Sequence, residues 1–96
     1  MATTPEKKVK KAVVKILREY GVYYFFPASY GMGRSGVPDI VCCYKGRFIG
    51  IECKAGNNQA TLLQQRELSL IEDAGGLALI IRETNVTTLK MLFDKV

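Results

Sequence analysis

Histidine and tryptophan are absent from this chain of 96 residues, and cysteine and proline occur only three times each. Without an imidazole the chain cannot build a Ser-His-Asp triad, a Cys-His nucleophile or a His-ligated zinc site. The three cysteines, Cys42, Cys43 and Cys53, lack the spacing of a zinc-binding pair. We expect all three to be small buried hydrophobic residues rather than disulfide partners.

Long apolar runs are also missing. No segment is long enough to span a bilayer, and the first residues lack the apolar stretch of a signal peptide. We therefore expect an intracellular, cytoplasmic protein without a membrane partner, of a kind compatible with bacterial, viral or prophage origin. A hydrophobic content of 48% predicts one small folded domain over residues 1–96. The net charge of +5 favours a polyanionic partner such as nucleic acid.

Hydrophobic periodicity and turn residues predict seven elements in the order α-β-β-β-α-β-α. The predicted helices cover 4–20, 61–73 and a short C-terminal segment capped by Asn85 or Thr87, and the predicted strands cover 22–27, 39–44, 47–54 and 77–82. The last strand follows a helical crossover and should pair in parallel, which predicts a mixed sheet flanked by helices in an α/β fold.

Two carboxylates are expected to meet on the predicted hairpin. If the turn at Lys45-Gly46 is symmetric, Tyr44 faces Arg47 and Asp39 faces Glu52. Lys54 points to the same side because side chains alternate along a strand, and Gly50 beside them should leave room for a ligand. A three-residue turn would shift this register.

Opposed carboxylates are destabilising unless something compensates their charge. A divalent cation such as Mg²⁺ binds one or two carboxylates together with water and phosphate oxygens, and Lys54 could position water or neutralise the phosphate. An ordinary cross-strand ion pair is the alternative interpretation.

Cations on the first helix allow two interpretations, a solvated helix face or a surface that follows a phosphate backbone. They are Lys7, Lys8, Lys10, Lys11, Lys15 and Arg18. The glycine-rich segment from Ala28 to Val37 precedes Asp39, and its Tyr30 and Arg34 could stack on bases or pair with phosphate. It could equally be a simple connector.

Four segments in order resemble the VRR-NUC (virus-type replication-repair nuclease) family of PD-(D/E)xK nucleases. They are Gly-Val-Pro-Asp-Ile-Val at 36–41, Ile-Glu-Cys-Lys at 51–54, Thr-Leu-Leu-Gln at 61–64 and Ala-Gly-Gly at 74–76. The resemblance spans residues 36 to about 82. It implies a restriction-endonuclease-like αβββαβ core and a structure-selective DNA endonuclease that depends on Mg²⁺ or Mn²⁺.

The same resemblance implies roles for individual residues. Asp39 and Glu52 would bind the metal together with the main-chain carbonyl of Cys53, and Lys54 would assist the attacking water.

Two further residues keep two interpretations each. Gln64 matches the family's helical glutamine, with Gln65 directly after it, yet Gln64 also completes a capping box with Thr61. Glu6 could supply an additional acidic group, as in junction resolvases of similar core, or could simply favour the N-terminus of its helix.

The resemblance to stand-alone Holliday junction resolvases implies cleavage of four-way or other branched DNA by a homodimer. The exposed residues of Val22–Phe26 or the terminal helix could form the dimer interface. Two alternatives are a non-catalytic nucleic-acid-binding module on the same fold and a restriction-type enzyme that reads a short sequence.

Overall fold

The computed structural model describes residues 3–28 and 33–96, and these contain three helices and four strands. They are α1 (Pro5–Glu19), β1 (Tyr23–Phe25), β2 (Ile40–Tyr44), β3 (Arg47–Cys53), α2 (Leu62–Asp73), β4 (Leu77–Ile81) and α3 (Thr88–Lys95). The predicted order of elements and the α/β class are confirmed.

One sheet joins the four strands in the spatial order β1-β2-β3-β4. β1 pairs antiparallel with β2, and β2 pairs antiparallel with β3. β4 lies parallel to β3 after the crossover through α2, as the pattern of elements predicts. The sheet is therefore mixed, with β2 and β3 in its centre.

Local signals set the ends of α1. The Thr4 hydroxyl accepts a hydrogen bond from the Lys7 N–H at 3.2 Å, and Pro5 occupies the first turn. At the other end, Gly21 has φ +67° and the Val22 N–H donates to the Leu17 carbonyl at 2.9 Å. This is a Schellman motif, which satisfies carbonyls that the end of a helix leaves unpaired. α2 ends in the same way after Asp73.

The start of α3 differs in detail from the expectation. Thr87 is the N-cap residue, but its side chain makes no capping hydrogen bond. Asn85 closes the preceding turn instead, because its Oδ1 accepts from the Arg82 N–H at 2.6 Å and its Nδ2 donates to the Ile80 carbonyl at 3.1 Å.

The apolar core lies between the sheet and the pair α1 and α3. Alternate residues of β2 and β3 point to this side and are almost fully buried. The core comprises Val9, Val13, Ile16, Leu17, Val22, Ile40, Cys42, Ile49, Ile51, Cys53, Ile81, Leu89 and Phe93.

The opposite side of the sheet is covered by α2, which packs on β3 and β4. Residues of β1 and β2 on this side, with Phe48 of β3, remain at least partly exposed. We call this surface the bare face, and it comprises Tyr23, Phe25, Val41, Cys43 and Phe48.

Cys43 is exposed, so the expectation of three buried cysteines is wrong for this residue. Its neighbour Cys42 points into the core, and strand alternation turns Cys43 to the side that α2 leaves open. All three cysteines are free thiols. No helix in the described part of the chain is both long and apolar enough to cross a membrane.

Candidate active site

The hairpin turn decides which side chains face each other. Lys45 and Gly46 have φ values of +48° and +82°, the positive pair expected of a two-residue type I′ turn. Tyr44 pairs with Arg47, and the ladder continues to the pair of Ile40 and Ile51. The symmetric register predicted from the sequence is confirmed.

One step beyond that ladder, Asp39 lies opposite Glu52. Each carboxylate accepts a hydrogen bond from a main-chain N–H of the opposite segment. Glu52 Oε1 accepts from the Asp39 N–H at 3.3 Å, and Asp39 Oδ2 accepts from the Cys53 N–H at 2.9 Å. These crossed hydrogen bonds fix both side chains at the end of the hairpin.

The charged groups of this site are largely shielded from water. Glu52 is 1% exposed and Lys54 is 9% exposed, while Asp39 is partly buried. Burial raises the pKa of Glu52 to about 7, and the Asp39 carboxylate adds to the rise, whereas the Lys54 ammonium and the Asp39 N–H lower it. The three groups thus act on one another electrostatically.

The segment before Asp39 is packed onto α2. A Cβ atom on Gly36 would lie 2.6 Å from the carbonyl carbon of Leu63, so only glycine fits there. Gly50 lies under Pro38 and Ile71, because a Cβ on Gly50 would meet their side chains at 3.0 and 2.6 Å. The space that the sequence reserves at Gly50 is therefore filled by the chain itself, and the expectation of room for a ligand there is wrong.

Arg34 is joined to a buried carboxylate rather than standing free. Its Nη2 lies 3.1 Å from Oε1 of Glu67, whose side chain is only 4% exposed, and Arg66 approaches the other oxygen at 3.5 Å. The sequence pattern does not single out Glu67. Its position directly before the buried Leu68 and four residues before the partly buried Ile71 is the signal for a buried partner.

The helical glutamines are both engaged at the start of α2. Gln64 Oε1 accepts from the Thr61 N–H at 2.9 Å, and the Gln64 N–H donates to the Thr61 hydroxyl at 3.2 Å. The capping box is therefore present. Gln65 donates to the Ala60 carbonyl at 2.8 Å.

The cations predicted to bind DNA separate into different surfaces. Lys7 and Lys11 line a groove on α1 beside Phe26, whereas Lys8 lines a smaller cavity with Glu83 and other residues. Tyr30 lies outside the described residues.

Glu6 is exposed in the first turn of α1, and its charge contributes to the raised pKa of Glu52. It therefore acts on the hairpin site through space. Burial raises the pKa of the Cys53 thiol to about 12, so this neighbour of Glu52 stays protonated at neutral pH and is no nucleophile.

Metal binding can be judged from the donor set. Among residues 3–28 and 33–96, no cluster of three or more histidine, cysteine, aspartate or glutamate side chains could hold a metal ion. Asp39 and Glu52 nevertheless offer two carboxylates, which suits a hard cation whose remaining ligands are main-chain carbonyls, water and phosphate oxygens.

The sequence of residues 5–92 matches the family described as archaeal Holliday junction resolvase (hjc). The chain belongs to this family. The family is one of nucleases, so the broad functional expectation is confirmed. No curated protein matches the sequence.

Solved structures agree with this assignment. One VRR_NUC domain superposes with a TM-score of 0.78 at 21% identity, over 93% of this chain and 97% of that chain. A second VRR_NUC domain protein gives 0.69 at 20% identity, over 98% and 91%. Archaeoglobus fulgidus Hjc, a Holliday junction resolvase, gives 0.57 at 17% identity, over 80% and 69%. These likenesses confirm the VRR-NUC-like fold.

Proposed function

We propose that this protein is a metal-dependent endonuclease that hydrolyses phosphodiester bonds at four-way DNA junctions or related branched DNA. The observation that carries the proposal is the pair of opposed carboxylates, Asp39 and Glu52, with the buried Lys54 ammonium on the same side of the hairpin. This arrangement occurs in a chain that belongs to a family of junction resolvases.

The proposed cofactor is Mg²⁺ or Mn²⁺, held by Asp39, Glu52 and the main-chain carbonyl of Cys53. The raised pKa of Glu52 supports this proposal, because burial and the neighbouring Asp39 carboxylate together outweigh the compensation that the Lys54 ammonium provides. When bound, such a cation would supply activation of water and neutralisation of charge on the phosphate.

The protein's own groups position the reactants. The hydrogen bonds from the Asp39 and Cys53 amides hold the two carboxylates in one orientation. Lys54 donates to the attacking water or to a phosphate oxygen, where its charge stabilises the growing negative charge. Hydrolysis is by in-line attack of water, without a covalent enzyme intermediate.

Gln64 and Glu6 have subordinate roles in this proposal. The Gln64 carbonyl oxygen is occupied in the capping box, which leaves its amide nitrogen as the group for a contact with DNA or water. Glu6 adds negative charge near the hairpin end, which supports an additional acidic contribution to cation binding.

A homodimer is the proposed assembly, with the bare face as its interface. Tyr23 is 71% exposed and Phe25 is 48% exposed, and the exposed Cys43 of β2 lies between Tyr23 and Phe48, which is 47% exposed. A contiguous apolar surface of this kind marks an interaction site. A second copy is the chosen partner because a two-fold dimer matches the symmetry of a four-way junction.

Cleavage assays test the activity. A synthetic four-way junction, a flap and a plain duplex are incubated with the protein and Mg²⁺ or Mn²⁺. We expect cleavage of the junction, and we expect Asp39→Asn and Lys54→Ala to abolish it while junction binding persists. Glu72→Gln, which removes an exposed carboxylate on α2, is the matched control and should cleave normally.

Other outcomes would select the alternatives. Tight binding independent of metal, without cleavage of any substrate, would indicate a non-catalytic nucleic-acid-binding module. Cutting of plain duplex at defined sites would indicate a restriction-type enzyme.

A further inference from the structure

A groove of about 870 Å³ runs along α1 on the side that faces Phe26. Of the residues that the structure describes, five cationic side chains line it, and the one acidic residue among them is Glu19 at the far end of the helix. The cations are Lys7, Lys10, Lys11, Lys15 and Arg18. We call this surface the α1 groove. Its charge is strongly positive, and its ligand is therefore expected to be an anion.

Aromatic residues of the β1 segment hold two of these cations in place. The Lys10 ammonium lies 4.3 Å from the centroid of the Phe26 ring, within the range of a cation–π interaction. Arg18 Nε donates to the Tyr24 hydroxyl at 3.0 Å. Both side chains are thus oriented before any ligand arrives, which lowers the entropic cost of binding.

The spacing of the cations suits a polymer of phosphates. Lys7, Lys11 and Lys15 recur every four residues, so they lie about 6 Å apart along the helix axis, and Lys7 to Arg18 spans about 16 Å. One strand of B-DNA carries a phosphate for each ~3.4 Å of its axis. The row is therefore long enough for several consecutive phosphates.

The α1 groove begins near the candidate active site. Phe25 pairs with Val41, two residues after Asp39, so Phe26 in the wall of the groove lies at the end of the sheet that carries the opposed carboxylates. A nucleic acid strand lying in the groove would therefore lead toward the end of β3 that carries Glu52.

We propose that the α1 groove binds the sugar-phosphate backbone of a DNA duplex arm that extends from the cleavage site. This inference rests on the proposed function, and it assigns the arm to one side of α1. Lys8 is excluded from the contact, because it lines a separate cavity together with Pro5, Val9 and Glu83. The Lys8 side chain therefore provides a matched control on the same helix.

The test measures junction affinity against salt concentration for Lys11→Gln and for Lys8→Gln. Both changes are made in the Asp39→Asn protein with EDTA, so that no cleavage occurs, and circular dichroism checks folding. Each phosphate contact makes the slope of log K against log salt more negative by about 0.9. Lys11→Gln should reduce the magnitude of this slope by about 0.9 per protomer and should lower the affinity about fivefold at ~0.15 M salt. Lys8→Gln should change the affinity less than about twofold.

Equal losses of affinity for the two substitutions would overturn the proposed role of the α1 groove. The cations of the helix would then contribute to DNA binding regardless of their position. An unchanged slope for Lys11→Gln would also overturn it, even if the wild-type protein cleaves junctions and the proposed function stands. If the wild-type protein neither binds nor cleaves DNA, both proposals fail.

Discussion

The sheet face under α1 and α3 is closed by apolar side chains, whereas α2 covers only the β3 and β4 half of the opposite face. Among the described residues, the three buried charged side chains, Glu52, Lys54 and Glu67, all lie on the α2 side. One face therefore concentrates the hydrophobic stabilisation, and the other carries the charges and the exposed aromatic residues.

This division has a physical reason. A buried carboxylate or ammonium costs free energy unless it is paired, so a small domain can carry such groups only if its remaining core is well filled. The continuous apolar packing on the α1 side provides that stability. Removal of a buried apolar side chain from the α1 side should consequently lower the stability, whereas removal of one opposed carboxylate from the other side should raise it.

The largest effect on stability is expected from a cavity on the closed face, which is the side of the sheet under α1 and α3. Leu17→Ala removes a side chain with 0% exposure and should lower the free energy of unfolding by about 4 kcal/mol. Leu62→Ala on the exposed surface of α2, at 83% exposure, should change it by less than about 0.5 kcal/mol. Urea unfolding measures both. A cost at Leu17 no larger than at Leu62 would show that the closed face does not carry the stability.

Gly36→Ala tests how the α2 side positions Asp39. The residue has φ +82°, and a Cβ there would lie 2.6 Å from the Leu63 backbone, so alanine should cost about 3 kcal/mol and reduce cleavage by moving the segment before Asp39. Gly46→Ala has the same φ but open space, and should cost only about 1 kcal/mol through backbone strain. Thermal unfolding compares the two, and equal costs would exclude a packing role for Gly36.

Removal of one opposed carboxylate should stabilise the metal-free protein. At about pH 8, Glu52→Gln should raise the free energy of unfolding in EDTA by about 1 kcal/mol, because a buried charge beside Asp39 is lost. Burial raises the pKa of Glu52 to about 7 from 4.5, so the wild-type protein loses stability as the pH rises through this window. At about pH 5 the two proteins should differ little.

Added Mg²⁺ or Mn²⁺ supplies the control for that comparison. It should raise the melting temperature of the wild-type protein more than that of Glu52→Gln, because a ligand that binds the folded state stabilises it. A cation effect of equal size in both proteins would contradict a role for Glu52 in metal binding.

The smallest effect on folding is expected on the bare face. Tyr23→Thr combined with Phe25→Thr keeps β-forming residues and should change monomer stability by less than about 0.5 kcal/mol. The proposed dimer should nevertheless dissociate, as measured by light scattering during gel filtration. Met91→Gln, on the exposed side of α3, should leave it intact. Dissociation by Met91→Gln alone would place the interface on α3.

Local sequence signals predicted most of the fold. Thr4 and Pro5 start the first helix, and the turn at Lys45-Gly46 sets the register that brings Asp39 opposite Glu52. These features depend on residues close together in the chain, where capping and turn geometry leave few alternatives.

Other features depended on contacts between distant segments. The exposure of Cys43 and the filling of the space at Gly50 both follow from where α2 lies on the sheet, which no local pattern specifies. The pairing of Arg34 with Glu67 likewise joins residues of a loop and a helix. Long-range packing of this kind is not encoded in the spacing of either partner.

By itself, the sequence determined the order of elements, the hairpin register and the residues available for chemistry, because periodicity, caps and turns act over a few residues. Only the tertiary structure decided which face of the sheet stays open and which cations of α1 share a groove with Phe26. The physical reason is that both depend on how helices pack across the sheet, and that packing is chosen by the burial of the whole apolar surface.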